Sequence, residues 1–392
     1  MATFILSKEE IELINEVHEL AVKKIAPRAA DLDVIGDGIQ DWSIPELLAE
    51  KNLLAPIIPE EYGGRGLSMV ATAAVIEELA AGCAGAAAMV VQNIYAVTPI
   101  LIAGNKKLKE KFLPLLSVRH PHLAAIAINE TRPDYNLERP ESQSEEITRI
   151  STTFCYNKDG EKVLIEGSKD YIINGAEASF VTLLARDKES RHKSSLQFFV
   201  IPGDNSGVEV REVLRKIGLR SCHTVKMGFN NVEIPSDYAV GRRGGGYLLL
   251  LQTFDINRTL LGAIAVGVAK AAFNLALKAA RNNSLLGMNS PSKYYISSSL
   301  ADMSTQIDAA RLSVLRAAYC IDVDENYARV SGMARLYATQ VAQQVTSNAV
   351  DIIGRLGFLI GHPAEKYLRD AQMLSMIAGS DYLHKKVLAA QL

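Results

Sequence analysis

The chain has little that would mark it for a specialised setting. Of its 392 residues only four are cysteine (Cys83, Cys155, Cys222 and Cys320), and no two make a Cys-x-x-Cys pair. That spacing argues against a disulfide framework or a zinc site and makes a reducing cytoplasm the expected compartment. A surplus of one charge is also absent. With 42 basic and 44 acidic residues the formal net charge is −2, so no basic excess points to nucleic acid. The opening MATFILSKEEIELINEV turns acidic and amphipathic at once, unlike a secretory signal. One long apolar run, Thr259 to Ala280, contains Lys270 and Lys278 and owes much of its apolarity to alanine. It reads as a helix buried among helices rather than a membrane span.

What is present divides by period into three zones. Nearly half the residues are apolar, enough for a large core over this length. Residues 1–123 repeat apolar positions at helical spacing, as at Ile11, Leu13, Ile14, Val17 and Leu20. Ser7 followed by Glu10 predicts a capping box at the first helix. Residues 124–238 alternate short β-branched or aromatic runs (KVLIEG, DYIING, LQFFVIPG) with turn residues, which predicts a small antiparallel β domain. A charged insertion, Glu130 to Arg149, interrupts that domain as an expected surface loop. From 239 to 392 the helical period returns in four long segments, near 247–283, 293–321, 325–355 and 363–389. The class is therefore α+β: helices, then strands, then a four-helix bundle.

This order resembles the acyl-CoA dehydrogenase family over essentially the whole chain. The resemblance rests on PEEYGGRG at 59–66, IGLRSCHTVKMGFNNVEIP at 217–235 and GRRGGGY at 241–247. Two further strings are FDINRTLLGAIAVGVAKAA and AEKYLRDAQMLSMIAGS. Members of the family oxidise the Cα–Cβ bond of an acyl-CoA thioester. A glutamate takes the α proton, and flavin adenine dinucleotide (FAD) accepts the β hydrogen as hydride.

A thioester α proton is weakly acidic, and a positioned base is worth roughly 10²–10⁴ in rate. In most of the family that base is the glutamate of a Glu-Gly-Thr triplet, which here reads Ala378-Gly379-Ser380. In some members it precedes the arginine of the Phe-Asp helix, where this chain has Asn257. Neither seat holds a base. Asp381, His384 and His223 are the neighbours that could substitute, and a solvated or packing role is the expectation for each.

The expected flavin contacts are altered as well. Asn129 stands where a hydroxyl residue is usual before Glu130, and Tyr171 can supply the aromatic wall. Ile173 replaces a ring-bonding hydroxyl and donates nothing. Asn283 and Leu286 occupy the seats of an arginine and a phenylalanine in a diphosphate motif, and Arg355 replaces a glycine of a Gly-Gly-x-Gly turn. The coenzyme A side looks better kept: Asp255 and Arg258 retain the family spacing, and Ser144 is a candidate for the pantetheine chain. Asp255 and Arg258, three apart on one helix, equally suit a simple ion pair.

The resemblance implies the catalytically silent subunit of a heteromeric FAD-dependent acyl-CoA dehydrogenase. A homologous subunit or a second copy would be its partner, and assembly into a tetramer through the C-terminal bundle is expected. Two alternatives remain open. One is a flavin-free acyl-CoA-binding protein or non-redox acyl-CoA enzyme, in which FAD is absent, whereas in the silent-subunit reading FAD can be held by the partner subunit. The other is an active dehydrogenase, or an oxygen-using relative, with a displaced base.

Overall fold

A computed structural model describes residues 6–35, 41–130, 150–282 and 291–390. The first helix, α1 (Lys8–Leu20), starts on the expected capping box. The Ser7 hydroxyl accepts from the Glu10 amide, and the Glu10 carboxylate accepts from the Ser7 amide at 2.8 Å. A π-helical turn, Ala21–Ile25, carries the chain into α2 (Ala26–Ile35). Then come α3 (Ser43–Glu50), α4 (Met69–Gly82), α5 (Ala84–Ala103) and α6 (Lys106–Phe112). The start of α4 is capped from far away: both Asp322 carboxylate oxygens accept from the Met69 and Val70 amides, at 2.6 and 3.0 Å.

The β domain comprises β1 (Leu123–Ala127), β2 (Thr153–Tyr156), β3 (Lys162–Ile173), β4 (Ala178–Asp187), β5 (Leu196–Pro202), β6 (Val208–Val213), β7 (Thr224–Pro235) and β8 (Ala239–Val240). Their order in the sheet is β6-β7-β3-β2-β4-β5-β8. The sheet is mixed rather than antiparallel throughout. Both β1 and β2 pair with β4 in parallel, β1 against its first half and β2 against its last two residues. The two short strands share one edge of β4 in tandem. Such long-range parallel pairing leaves no mark in local alternation.

The C-terminal zone contains α7 (Gly246–Asn282), α8 (Pro291–Asp322) and α9 (Tyr327–Ile353). The segment expected as one helix over 363–389 is two: α10 (Pro363–Leu374) and α11 (Asp381–Ala389). The chain turns between them through Ala378 and Gly379, both at positive φ (54° and 100°). Ser380 then caps α11, its hydroxyl accepting from the Leu383 amide at 3.4 Å.

The apolar run in α7 is core. Its residues Thr259 to Ala269 are all buried, packed between α9 and α4. Both α5 and α7 are long and apolar enough to cross a membrane, but most of each lies inside the protein. Gly267 shows how tight that packing is: a Cβ there would lie 2.3 Å from the Glu77 carbonyl oxygen. Helix α10 also clamps the β domain. The Asp370 carboxylate accepts from the Leu219 amide at 2.6 Å, and Arg369 donates to the Ile217 carbonyl at 2.6 Å and pairs with Asp33. Loop 214–220 is thereby held against α10.

Candidate functional site

A cavity of about 660 Å³ lies between the β domain and the helices. One wall comes from β1, β3 and loop 214–217; the other from α5, α7 and the break between α10 and α11. Among the described residues it brings together both base seats, Asn257 and Ala378, with Asn129, Tyr171 and Ile173. These positions span 250 residues of sequence, so the tertiary fold alone makes them neighbours.

Ala378 sits where the turn opens toward the cavity, and it carries only a methyl group. The turn is braced from behind by Arg335, which is wholly buried and donates to the Ile377 and Gly379 carbonyls, both at 2.7 Å. Asn257 is 1 % exposed. Its amide nitrogen donates to the Thr253 carbonyl at 2.9 Å and toward the Thr98 hydroxyl at 3.4 Å. Thr98 gives its own proton to the Ile94 carbonyl at 2.7 Å, so it can accept from Asn257. Both acceptors orient the amide with its nitrogen toward them. The Oδ1 of Asn257 has no hydrogen-bond partner. An amide held this way removes no proton.

The neighbouring candidates are engaged elsewhere, and none of them borders the cavity. The Asp381 carboxylate accepts from Thr339 at 3.2 Å and lies 3.6 Å from the Arg335 guanidinium. His384 is buried against the back of the turn, its Nε2 3.0 Å from the Ala378 carbonyl oxygen. Burial, then the nearby Arg335 and Arg258 charges, push its pKa down to about 3. It is therefore a neutral hydrogen-bond donor to the turn at ordinary pH. His223 pairs through Nδ1 with Glu177.

The β-domain wall owes its shape to a buried ion pair and a bulge. Lys169 is wholly buried and lies 2.9 Å from the Glu130 carboxylate. That carboxylate also accepts from the Ser151 amide (2.7 Å), the Ser151 hydroxyl (2.6 Å) and the Thr152 amide (3.0 Å). Burial alone would raise the Glu130 pKa, but Lys169 and these donors outweigh it and bring it to about 2. Just beyond, the register of β3 on β7 shifts between Lys169 and Ile172. Tyr171 takes the left-handed conformation there, φ 59°, which costs a side chain roughly 1–2 kcal/mol. The bulge leaves Tyr171 57 % exposed at the cavity mouth, with Asp170 beside it on the lining.

The other expected site residues are placed as follows. Ile173 is buried at the cavity wall and offers no side-chain donor. Asn129 is exposed, and its carbonyl accepts from the Asp170 amide at 2.9 Å. Asp255 and Arg258 form the i, i+3 ion pair. Burial raises the Asp255 pKa despite Arg258. Ser380 is exposed at its capping position, and Arg355 is exposed in the turn after α9. Ser144, Asn283 and Leu286 lie outside the described residues.

Six polar lining residues were not singled out in the sequence: Gln92, Tyr95, Asp170, Arg215, Lys216 and Thr224. Asp170 is the one carboxylate among the described lining residues. Its adjacency to Tyr171 was the available signal, but the bulge that turns it to the cavity has no sequence mark. Lys216 donates to the Leu219 carbonyl at 3.0 Å and to the Thr224 hydroxyl at 3.2 Å. This wall suits a flavin ring: Tyr171 as an aromatic face, Asn129 as an amide donor and acceptor, Thr224 as a hydroxyl, and two cations in the adjoining loop.

Comparisons with known proteins agree with this architecture. Family models for the N-terminal, middle and C-terminal domains of acyl-CoA dehydrogenase match residues 7–118, 140–232 and 244–392. The cyclohexane-1-carbonyl-CoA dehydrogenase of Geobacter metallireducens is 30 % identical over 98 % of each chain. The butyryl-CoA dehydrogenase structure from Megasphaera elsdenii superposes with a TM-score of 0.91 at 26 % identity, covering 100 % of this chain and 99 % of that one. A FAD complex of PigA has the same fold, with a TM-score of 0.87 at 20 % identity over 100 % of this chain and 99 % of that one. FAD is the cofactor that this family supports for the chain. The chain belongs to the acyl-CoA dehydrogenase family.

Proposed function

We propose that this chain binds an acyl-CoA thioester beside FAD in the cavity and serves as the catalytically silent subunit of a heteromeric acyl-CoA dehydrogenase. The observation that carries the reading is the pair Ala378 and Asn257. Both seats from which the family draws its base border one cavity, and neither side chain can accept an α proton. FAD, when bound, supplies the hydride acceptor. This chain's own residues supply the bed: Tyr171 as the ring wall, Asn129 and Thr224 as hydrogen-bonding groups, and Asp255 with Arg258 toward the coenzyme arm.

Association is supported by exposed apolar surface. Leu356, Phe358, Leu359 and Ile360 follow α9 in one stretch, Ile360 at 90 % exposure. A run of this kind marks a contact surface. The test is to purify the chain alone and together with a homologous dehydrogenase subunit, then to follow dye reduction with butyryl-CoA. The account expects turnover only in the mixed preparation. Turnover by the lone chain at a comparable rate overturns it.

A second reading, an active dehydrogenase with a displaced base, draws on Asp170. It borders the cavity, but from the β-domain wall rather than the helical wall that carries both base seats. Under that reading Asp170→Asn abolishes turnover by the lone chain.

A further inference from the structure

The ion pair behind the β-domain wall is buried on both sides: Lys169 wholly, the Glu130 side chain to within 4 %. Replacing such a pair by apolar side chains of similar volume is often neutral or stabilising, because two charges have had to leave water. Fold stability is therefore a poor account of why the pair is here. Its bonds suggest another. The Lys169 ammonium donates to the Ile128 carbonyl at 3.0 Å as well as to the Glu130 carboxylate at 2.9 Å. The next amide along β3, that of Asp170, donates to the Asn129 carbonyl at 2.9 Å. Two adjacent residues of β3 thus hold residues 128, 129 and 130 in succession. The middle one is Asn129, which lines the cavity, and none of these bonds uses its side chain.

The grip is anchored in turn. The Glu130 carboxylate accepts from Ser151 and Thr152, and the Thr152 hydroxyl donates to the Ser168 carbonyl at 2.9 Å. From β4, the Arg186 amide donates to the Thr152 carbonyl at 3.0 Å and its side chain to the Ile150 carbonyl at 3.1 Å. Gly167, at φ 148°, lets β3 come this close, since a Cβ there would lie 2.6 Å from the Thr152 Cα. Lys169 itself does not border the cavity. We infer that Lys169 is a positioning residue for the cofactor, fixing the backbone on both sides of Asn129 so that the Asn129 amide is held ready for the flavin ring. The inference rests on the reading of this cavity as a flavin site and adds to it a residue that acts through another. A contacting group is precise only when its support is rigid.

The test is FAD binding by the purified full-length chain, followed by quenching of flavin fluorescence and by the visible spectrum of the bound flavin. Lys169→Met with Glu130→Gln removes both charges, keeps an acceptor for Ser151 and Thr152, and releases the Ile128 carbonyl. Its FAD dissociation constant is expected to rise roughly ten-fold, the value of one hydrogen bond, with the visible bands moving toward those of free flavin. In an Asn129→Ala background the same pair of changes should cost nothing further, because the residue it acts through is gone. Asp322→Ala, which uncaps α4 at a residue that does not line the cavity, is the control for lost stability and should bind FAD as the native chain does. Circular dichroism checks folding. If the methionine variant does not fold, Lys169→Gln with Glu130→Gln, whose side chain at 169 is one bond shorter than lysine, carries the same expectation. An unchanged dissociation constant, an equal loss with and without Asn129, or an equal loss in Asp322→Ala overturns the inference and leaves the flavin reading standing. A native chain that binds no FAD overturns both.

Discussion

Lowering the pH should weaken this protein through one buried histidine. His384 is 1 % exposed and lies behind the turn that presents Ala378 to the cavity, and its pKa is depressed to about 3 from an ordinary 6.5. The depression follows from burial first and then from Arg335 and Arg258. A base with a lowered folded-state pKa is protonated in the unfolded chain before the folded one. Stability is therefore unaffected by this group above pH 6.5 and declines as pH falls from there toward 3. The slope is about 1.4 kcal/mol per unit, so moving from pH 7.5 to pH 5.5 costs about 1.4 kcal/mol, and moving to pH 4.5 costs about 2.7 kcal/mol. Glu130 adds little between pH 7.5 and 5.5, because both its ordinary pKa of 4.5 and its folded value near 2 lie below that range; the stability it contributes is lost only as pH falls through 4.5 toward 2. The assay is urea unfolding by circular dichroism at pH 7.5 and 5.5, for the native chain and for His384→Gln. Glutamine keeps a donor for the Ala378 carbonyl but does not titrate. The account expects the variant's loss between the two pH values to be smaller by about 1.4 kcal/mol. Identical pH shifts in the two proteins would refute the placement of His384 as a neutral buried donor.

Three further outcomes follow from the site. Lys169→Met strands the Glu130 carboxylate in the interior and should destabilise by about 3–5 kcal/mol, whereas the double variant with Glu130→Gln should recover part of that; urea midpoints decide. Ala378→Glu restores a carboxylate to the turn but not a hydroxyl at Ile173, so dye reduction with butyryl-CoA should stay at background; measurable turnover would show that the flavin bed needs no such hydroxyl. Arg335→Met removes both donors that brace the turn at Ile377 and Gly379. It should cost about 2–4 kcal/mol and raise hydrogen exchange at residues 377–384 above that of the rest of the bundle.

Much of the scaffold was legible because it is written locally. The Ser7–Glu10 capping box and the helical period of α7 follow from side chains a turn apart, and both appear as expected. The family strings placed Ala378 and Asn257 at one site, and the cavity contains both. What escaped was long-range or conformational. The tandem parallel pairing of β1 and β2 on β4 depends on strands distant in sequence. The bulge at Asp170 and Tyr171 is a register shift of β3 on β7, which the strand's own alternation does not announce. The break at 375–380 was signalled weakly by Gly379 and Ser380. Its cause, carbonyls turned toward a buried arginine 42 residues earlier, was not.

The most direct measurement concerns proton removal, independent of any electron acceptor. The purified chain is incubated with butyryl-CoA in deuterium oxide, and deuterium at the α carbon is followed by mass spectrometry. With Ala378 and Asn257 at both base seats, incorporation should not exceed that of a protein-free control. Rapid incorporation, lost in Asp170→Asn, would contradict the account and identify Asp170 as the base.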